Sequence, residues 1–91
     1  MAFMTTRIKV KDYDAWKSMF DTDPPEARKL ALGHRLFRLI DDPNELMIVV
    51  EFETAEDAAA AREKLTESGV LERVTVVVAP ALLDEVEAVA Y

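Results

Sequence analysis

The sequence predicts an α+β fold of the ferredoxin-like, split βαβ type: an antiparallel sheet with helices on one face. Three observations predict it. Leu32 to Glu53 reads as strand, polar turn, strand. A helical stretch stands on each side of that hairpin, aromatic before it and alanine-rich after it. Segments of β character stand at both ends of the chain, which completes the order β-α-β-β-α-β.

Phe3 to Val10 alternates, with Met4, Thr6, Ile8 and Val10 on one face and Phe3, Thr5, Arg7 and Lys9 on the other. That period of two is a strand with one side toward a core. Asp12 then supplies an N-cap, and Asp14 suits the positive end of a helix dipole. Tyr13, Trp16 and Phe20 recur at helical spacing with Met19 beside them, an amphipathic helix with an aromatic stripe. Asp21-Thr22-Asp23-Pro24-Pro25 interrupts or kinks it. Asp23 as cap and Pro24 at the first helical position predict a short helical restart through Leu30, which Gly33 ends.

In the hairpin, Asp41-Asp42-Pro43-Asn44 collects residues that favour a turn through side-chain bonds to the backbone or a preset φ. Leu46, Ile48, Val50 and Phe52 form an unbroken apolar face, opposite Glu45, Met47, Val49, Glu51 and Glu53. Thr54-Ala55-Glu56-Asp57 resembles a capping box and opens a helix through Ala58 to Ala61 and Leu65, with Gly69 as its stop. Beyond it, Val74 to Val78 has high strand propensity, whereas Ala81 to Val89 fits a strand or a helix. A strand crossing Pro80 must be at an edge or bulged there. The site of the last strand stays open between these two segments.

Ninety-one residues suit one domain, 1–91, with 51% apolar and 32% charged residues. No apolar run approaches the ~20 residues of a membrane span. There is no cysteine, and the first residues lack a signal-peptide pattern, so the expected location is cytoplasmic. The net charge of −7 is uneven: residues 1–40 hold 8 Lys/Arg and 5 Asp/Glu, whereas residues 41–91 hold 3 and 13. An acidic half repels polyanions, which argues against nucleic acid as a partner. The helix-free side of the sheet would present Phe3, Met47 and Val49 among Arg7, Lys9 and Glu51. An exposed, partly apolar face of this kind suits a second copy related by a two-fold axis.

Val10-Lys11-Asp12-Tyr13-Asp14-Ala15-Trp16-Lys17, Phe20-Asp21, Gly33, Asp41-Asp42-Pro43-Asn44, and Phe52-Glu53-Thr54 running into the alanine helix together resemble the dimeric α/β-barrel superfamily. That group includes antibiotic-biosynthesis-monooxygenase-like proteins, small polyketide cyclases and short bacterial members of no known activity. The resemblance implies a homodimer of two sheets packed back to back, with a ligand cleft between helices and sheet in each subunit. It also implies a last strand near Ala81 to Val89 that can swap toward the partner, with Val70 to Thr75 as a connecting turn or short helix.

The candidate chemistry is sparse. His34, the single histidine, is either a structural imidazole or a general base; haem-degrading relatives suggest an axial ligand, but their accompanying residues do not map onto this chain. Arg7, Arg35 and Arg38 either pair with acids such as Glu51 and Glu53 or form a cluster that binds a carboxylate or enolate. Tyr13, Trp16, Met19 and Phe20 are either core or the lining of an aromatic pocket, with Trp16 the foremost pocket candidate. Asp84, Glu85 and Glu87, with one histidine and no cysteine elsewhere, support metal binding poorly. Only two glycines are present, too few for the usual nucleotide cradles. No cofactor is expected. Two readings result: a homodimeric small-molecule-binding or structural protein, and a cofactor-free monooxygenase or cyclase acting on an aromatic polyketide-like substrate. In the second, His34 and Arg38 are catalytic, and Tyr13, Trp16 and Phe20 bind the ligand.

Overall fold

The computed structural model describes residues 1–24 and 26–91. Its order is β1 (Ala2–Lys9), α1 (Tyr13–Asp21), β2 (Ala31–Arg38), β3 (Glu45–Phe52), α2 (Ala55–Ser68), a 3₁₀ turn (Val70–Arg73) and β4 (Thr75–Asp84). The four strands form one antiparallel sheet in the order β2-β3-β1-β4. This is the expected ferredoxin-like arrangement, with β1 and β3 central.

The alternation of β1 and β3 decides which side faces the helices. Met4, Thr6, Ile8 and Val10 are buried, as are Leu46, Ile48, Val50 and Phe52. The apolar members form one core with Trp16, Ala58 and Ala61. The alanines explain how α2 packs: Ala58 and Ala61 are 0% and 3% exposed, so the helix backbone lies close on the sheet. Thr6 is the polar exception, and its hydroxyl donates to the Val78 carbonyl at 2.7 Å. Both helix starts carry the expected caps. Asp12 accepts from the amides of Asp14 and Ala15, and Thr54 accepts from the amide of Asp57. Gly69 ends α2 at φ +77, a left-handed conformation that glycine adopts without steric cost.

Three expectations need correction. Among the described residues, the segment between α1 and β2 makes turns and no helix; Pro25, predicted to help kink it, lies outside them. Asp23 and Glu26 have φ of +46 and +54, and Asp23 accepts from the amide of Arg28 instead of capping a new helix. Gly33 does not terminate a helix. It lies within β2, where the register with β3 shifts between Ala31 and Gly33. β4 spans parts of both candidate segments, crossing Pro80, and stops at Asp84 instead of continuing to Val89. Pro80 is tolerated because β4 is an edge strand with two register shifts against β1. The hairpin turn is as expected, with the Asp42 side chain accepting from the Asn44 amide.

The side of the sheet opposite the helices is uncovered. Phe37, Met47, Val78 and Leu83 are exposed there, flanking half-buried Phe3 and Val49. The molecule is a slab of 35 × 34 × 20 Å. Its accessible surface is 6192 Å². A folded monomer of this mass is expected to expose about 5,300 Å². No helix among the described residues is long and apolar enough to cross a membrane.

Candidate functional site

The aromatic spacing of α1 builds a wall. Trp16 stacks on Phe20 with ring centroids 4.9 Å apart, and Tyr13 tilts against Trp16 at 6.1 Å. β2 meets this stripe from the side. His34 and Arg38 pair in register with Val50 and Leu46, so both face the helices. His34 abuts Phe20 edge-on at 5.3 Å, and the Arg38 guanidinium lies 4.8 Å above the Tyr13 ring. Tyr13, Trp16, Phe20, His34 and Arg38 therefore share one seam between α1 and β2.

Behind the stripe lies a cavity of about 70 Å³, bounded by α1, the α1–β2 loop, α2, the 3₁₀ turn and the sheet. Trp16, Met19, Phe20, Ile48, Val50 and Leu71 give it an apolar lining, and Thr6, Asp23 and Arg28 are its polar members. Beside it opens a cleft of about 450 Å³ whose rim carries Lys9, Lys11, Asp12, Glu72 and Arg73. Trp16, Met19 and Val74 line both spaces, so they are the partition between them. That volume is below the ~150 Å³ of an apolar cavity that takes benzene. Any ring-sized ligand must displace the partition and occupy part of the cleft.

Of the five seam residues, only Trp16 and Phe20 line the cavity. Tyr13, His34 and Arg38 line neither space. Of the two alternatives for Arg7, Arg35 and Arg38, the cluster does not form, because the strands send the three side chains to different places. Arg7 lies on the helix-free face and is paired with Glu45, which is 6% exposed. Arg35 is on that same face opposite Val49, whereas Arg38 is on the helix side. None of the three polar residues of the cavity is among the site candidates that sequence reasoning supplies, and Thr6 reads only as a core-facing residue of β1. Asp23 has the sequence context of a helix cap, and Arg28 belongs to no motif. The signal for Arg28 is a cation in the loop just after the aromatic stripe. Among the described residues, no three His, Cys, Asp or Glu side chains gather to hold a metal ion.

The pKa of His34 lies below the usual 6.5, chiefly from desolvation, then from the positive charges of Arg28 and Lys17, with Asp21 opposing them. The neutral imidazole is thereby favoured. The native state then binds its proton less readily than the unfolded chain does. Stability associated with this group is complete above 6.5 and is lost as pH falls through 6.5 toward the folded value. A single histidine gives one unambiguous imidazole signal, and its NMR titration midpoint is expected below 6.5. A midpoint at or above 6.5 contradicts the packing described for this seam. His34→Gln is expected to flatten the stability profile between pH 7 and 5.

No family model matches this chain, and no curated protein matches it in sequence. Solved structures do match it in fold. A protein from Deinococcus radiodurans assigned as an antibiotic biosynthesis monooxygenase superposes with a TM-score of 0.72 at 10% identity, covering 100% of this chain and 98% of that one. A mutant of SnoaB, a cofactor-independent oxygenase from Streptomyces nogalater, gives 0.70 at 12% identity, over 99% and 97%. A third, from Nitrosomonas europaea and assigned like the first, gives 0.66 at 17% identity, over 96% and 100%. This chain therefore has the fold of the antibiotic biosynthesis monooxygenase proteins, over essentially its whole length.

Proposed function

We propose that this chain is a small-molecule-binding protein that works as a homodimer, holding its ligand against Trp16 between α1 and the sheet. The carrying observation is the apolar cavity beneath the aromatic stripe, divided from a larger open cleft by Trp16, Met19 and Val74. Displacing that partition joins the two spaces into a volume within the ~300–1,000 Å³ typical of ligand pockets. The dimer is supported by the uncovered apolar sheet face, which a two-fold partner of the same shape would bury.

The test is a thermal-shift screen against aromatic acids and quinones. A ligand at a hundredfold its Kd adds about 2.7 kcal/mol. In a chain of this size that raises Tm by roughly 10 °C or more. No shift with any compound at millimolar concentration contradicts the binding reading.

A second reading, a cofactor-free monooxygenase or cyclase acting on an aromatic polyketide-like substrate, draws support from the fold of SnoaB and from the neutral state favoured at His34. It needs His34 and Arg38 to handle protons at the bound ligand, yet neither lines the cavity or the cleft. His34→Ala separates the two. Under the binding reading it leaves ligand affinity unchanged. Under the catalytic reading it lowers turnover by about 10²–10⁴-fold.

A further inference from the structure

Arg28 stands out once the cavity is accepted as a ligand site, and the role assigned to it rests on that reading. Its side chain is 16% exposed, and among the described residues it is the one cation on a lining that is otherwise apolar apart from Thr6 and Asp23. A guanidinium is seldom buried to this degree without a firm partner. The Arg28 guanidinium carbon lies 3.6 Å from the centroid of the Phe20 ring, and the group donates to the Phe20 carbonyl. Its charge partner is Asp23, but the closest Nε–Oδ1 approach is 3.5 Å. An arginine matched to a carboxylate bonds it at ~2.7–2.9 Å, often through two parallel N–H groups. Asp23 is also committed elsewhere, because its other carboxylate oxygen accepts from the Arg28 amide at 3.0 Å. Apart from the N–H given to the Phe20 carbonyl, the donor edge of Arg28 is neutralised from a distance and not gripped by a carboxylate.

We infer that the cavity, widened toward the cleft by displacement of Trp16, Met19 and Val74, takes a small monocarboxylate with an apolar body, that Arg28 binds its carboxylate, and that Asp23 is the internal anion the ligand displaces. The ligand's apolar part lies against Trp16, Phe20 and Leu71. Its carboxylate replaces the long Asp23 contact with a short paired one. Asp23 thus lowers affinity for acids while keeping Arg28 neutralised in the free protein.

Benzoate and its neutral counterpart benzyl alcohol test this, read through the fluorescence of Trp16, the only tryptophan in the sequence. In the wild-type protein benzoate is expected to bind about tenfold or more tighter than benzyl alcohol, the worth of a charge-assisted hydrogen bond. Arg28→Gln should bring the two affinities together, with benzyl alcohol little changed. Asp23→Asn should tighten benzoate severalfold and leave benzyl alcohol alone; asparagine tolerates the φ of +46 at this position, so the backbone is not disturbed. Because this variant predicts a gain, a folding defect in the arginine variant does not protect the inference. Equal affinities in the wild type, with Asp23→Asn neutral, overturn the role of Arg28 and leave the cavity as an apolar site. Saturation by neither compound overturns the inference together with the cavity reading beneath it.

Discussion

Replacing Met47 and Val49 together by glutamate is expected to convert the proposed dimer into a folded monomer. Both side chains stand on β3 at the middle of the helix-free face, opposite Arg7 and Thr5 of β1 and Phe37 and Arg35 of β2. Their neighbours on that face of β3 are already Glu45 and Glu51. Two further carboxylates would place four like charges in a row. Arg7 is already paired with Glu45, so of these neighbours Arg35 alone is left to offset the added pair, and a charge left without a partner at a buried interface costs about 3–5 kcal/mol. That weakens association by roughly two to three decades or more. The fold should survive, since the core side of β3, from Leu46 to Phe52, is untouched. Sedimentation and circular dichroism together check this: the mass should fall to that of one 10.2 kDa chain with the far-UV spectrum retained.

Phe52→Ala should have the largest effect on stability. Phe52 is fully buried on the core side, where β3 pairs with both Ala2 of β1 and Ala31 of β2. Truncating a buried phenylalanine costs about 3–5 kcal/mol, because lost transfer energy and a new cavity add together. A chain of this length holds only ~5–14 kcal/mol in total. The urea midpoint should therefore fall by roughly a fifth or more. Val86→Ala is the control, since Val86 is 92% exposed beyond the end of β4 and should shift the midpoint negligibly.

The sheet is legible in the sequence because its signals are local and mutually consistent. The alternation of Met4, Thr6, Ile8 and Val10 names the core face of β1 directly, and the Asp41–Asn44 turn sets the hairpin. Asp12, Thr54 and Gly69 mark helix ends by hydrogen-bond chemistry that needs no tertiary contact. The α1–β2 segment is not legible in the same way. Asp23 beside Pro24 looks like a helix start, but its carboxylate is drawn to the amide and guanidinium of Arg28, five residues on. That competition is decided by packing of Arg28 on Phe20, which no local pattern reports. The last strand is ambiguous for a related reason. Val74 to Val78 carries the propensity, yet pairing with β1 carries the strand on past Pro80 to Asp84, with register shifts that sequence spacing does not encode.

The candidate site divides along the same line. Helical spacing puts Tyr13, Trp16 and Phe20 on one stripe. Strand parity gives His34 and Arg38 a common face, but which face meets the helices depends on register with β3. The strands separate Arg7 and Arg35 from Arg38, and only the assembled sheet shows it. Arg28 and Asp23 reach the cavity from an irregular loop, where neither period applies.

The most direct test monitors the indole N–H resonance of Trp16 during titration with benzoate. A ligand held beneath α1 predicts one saturable shift, accompanied by changes at Met19, Phe20 and Leu71 and by none at Phe37 or Leu83 on the far side of the sheet. An indole signal that stays fixed while the far-side residues respond, or a spectrum that does not respond at all, contradicts a binding site in this cavity.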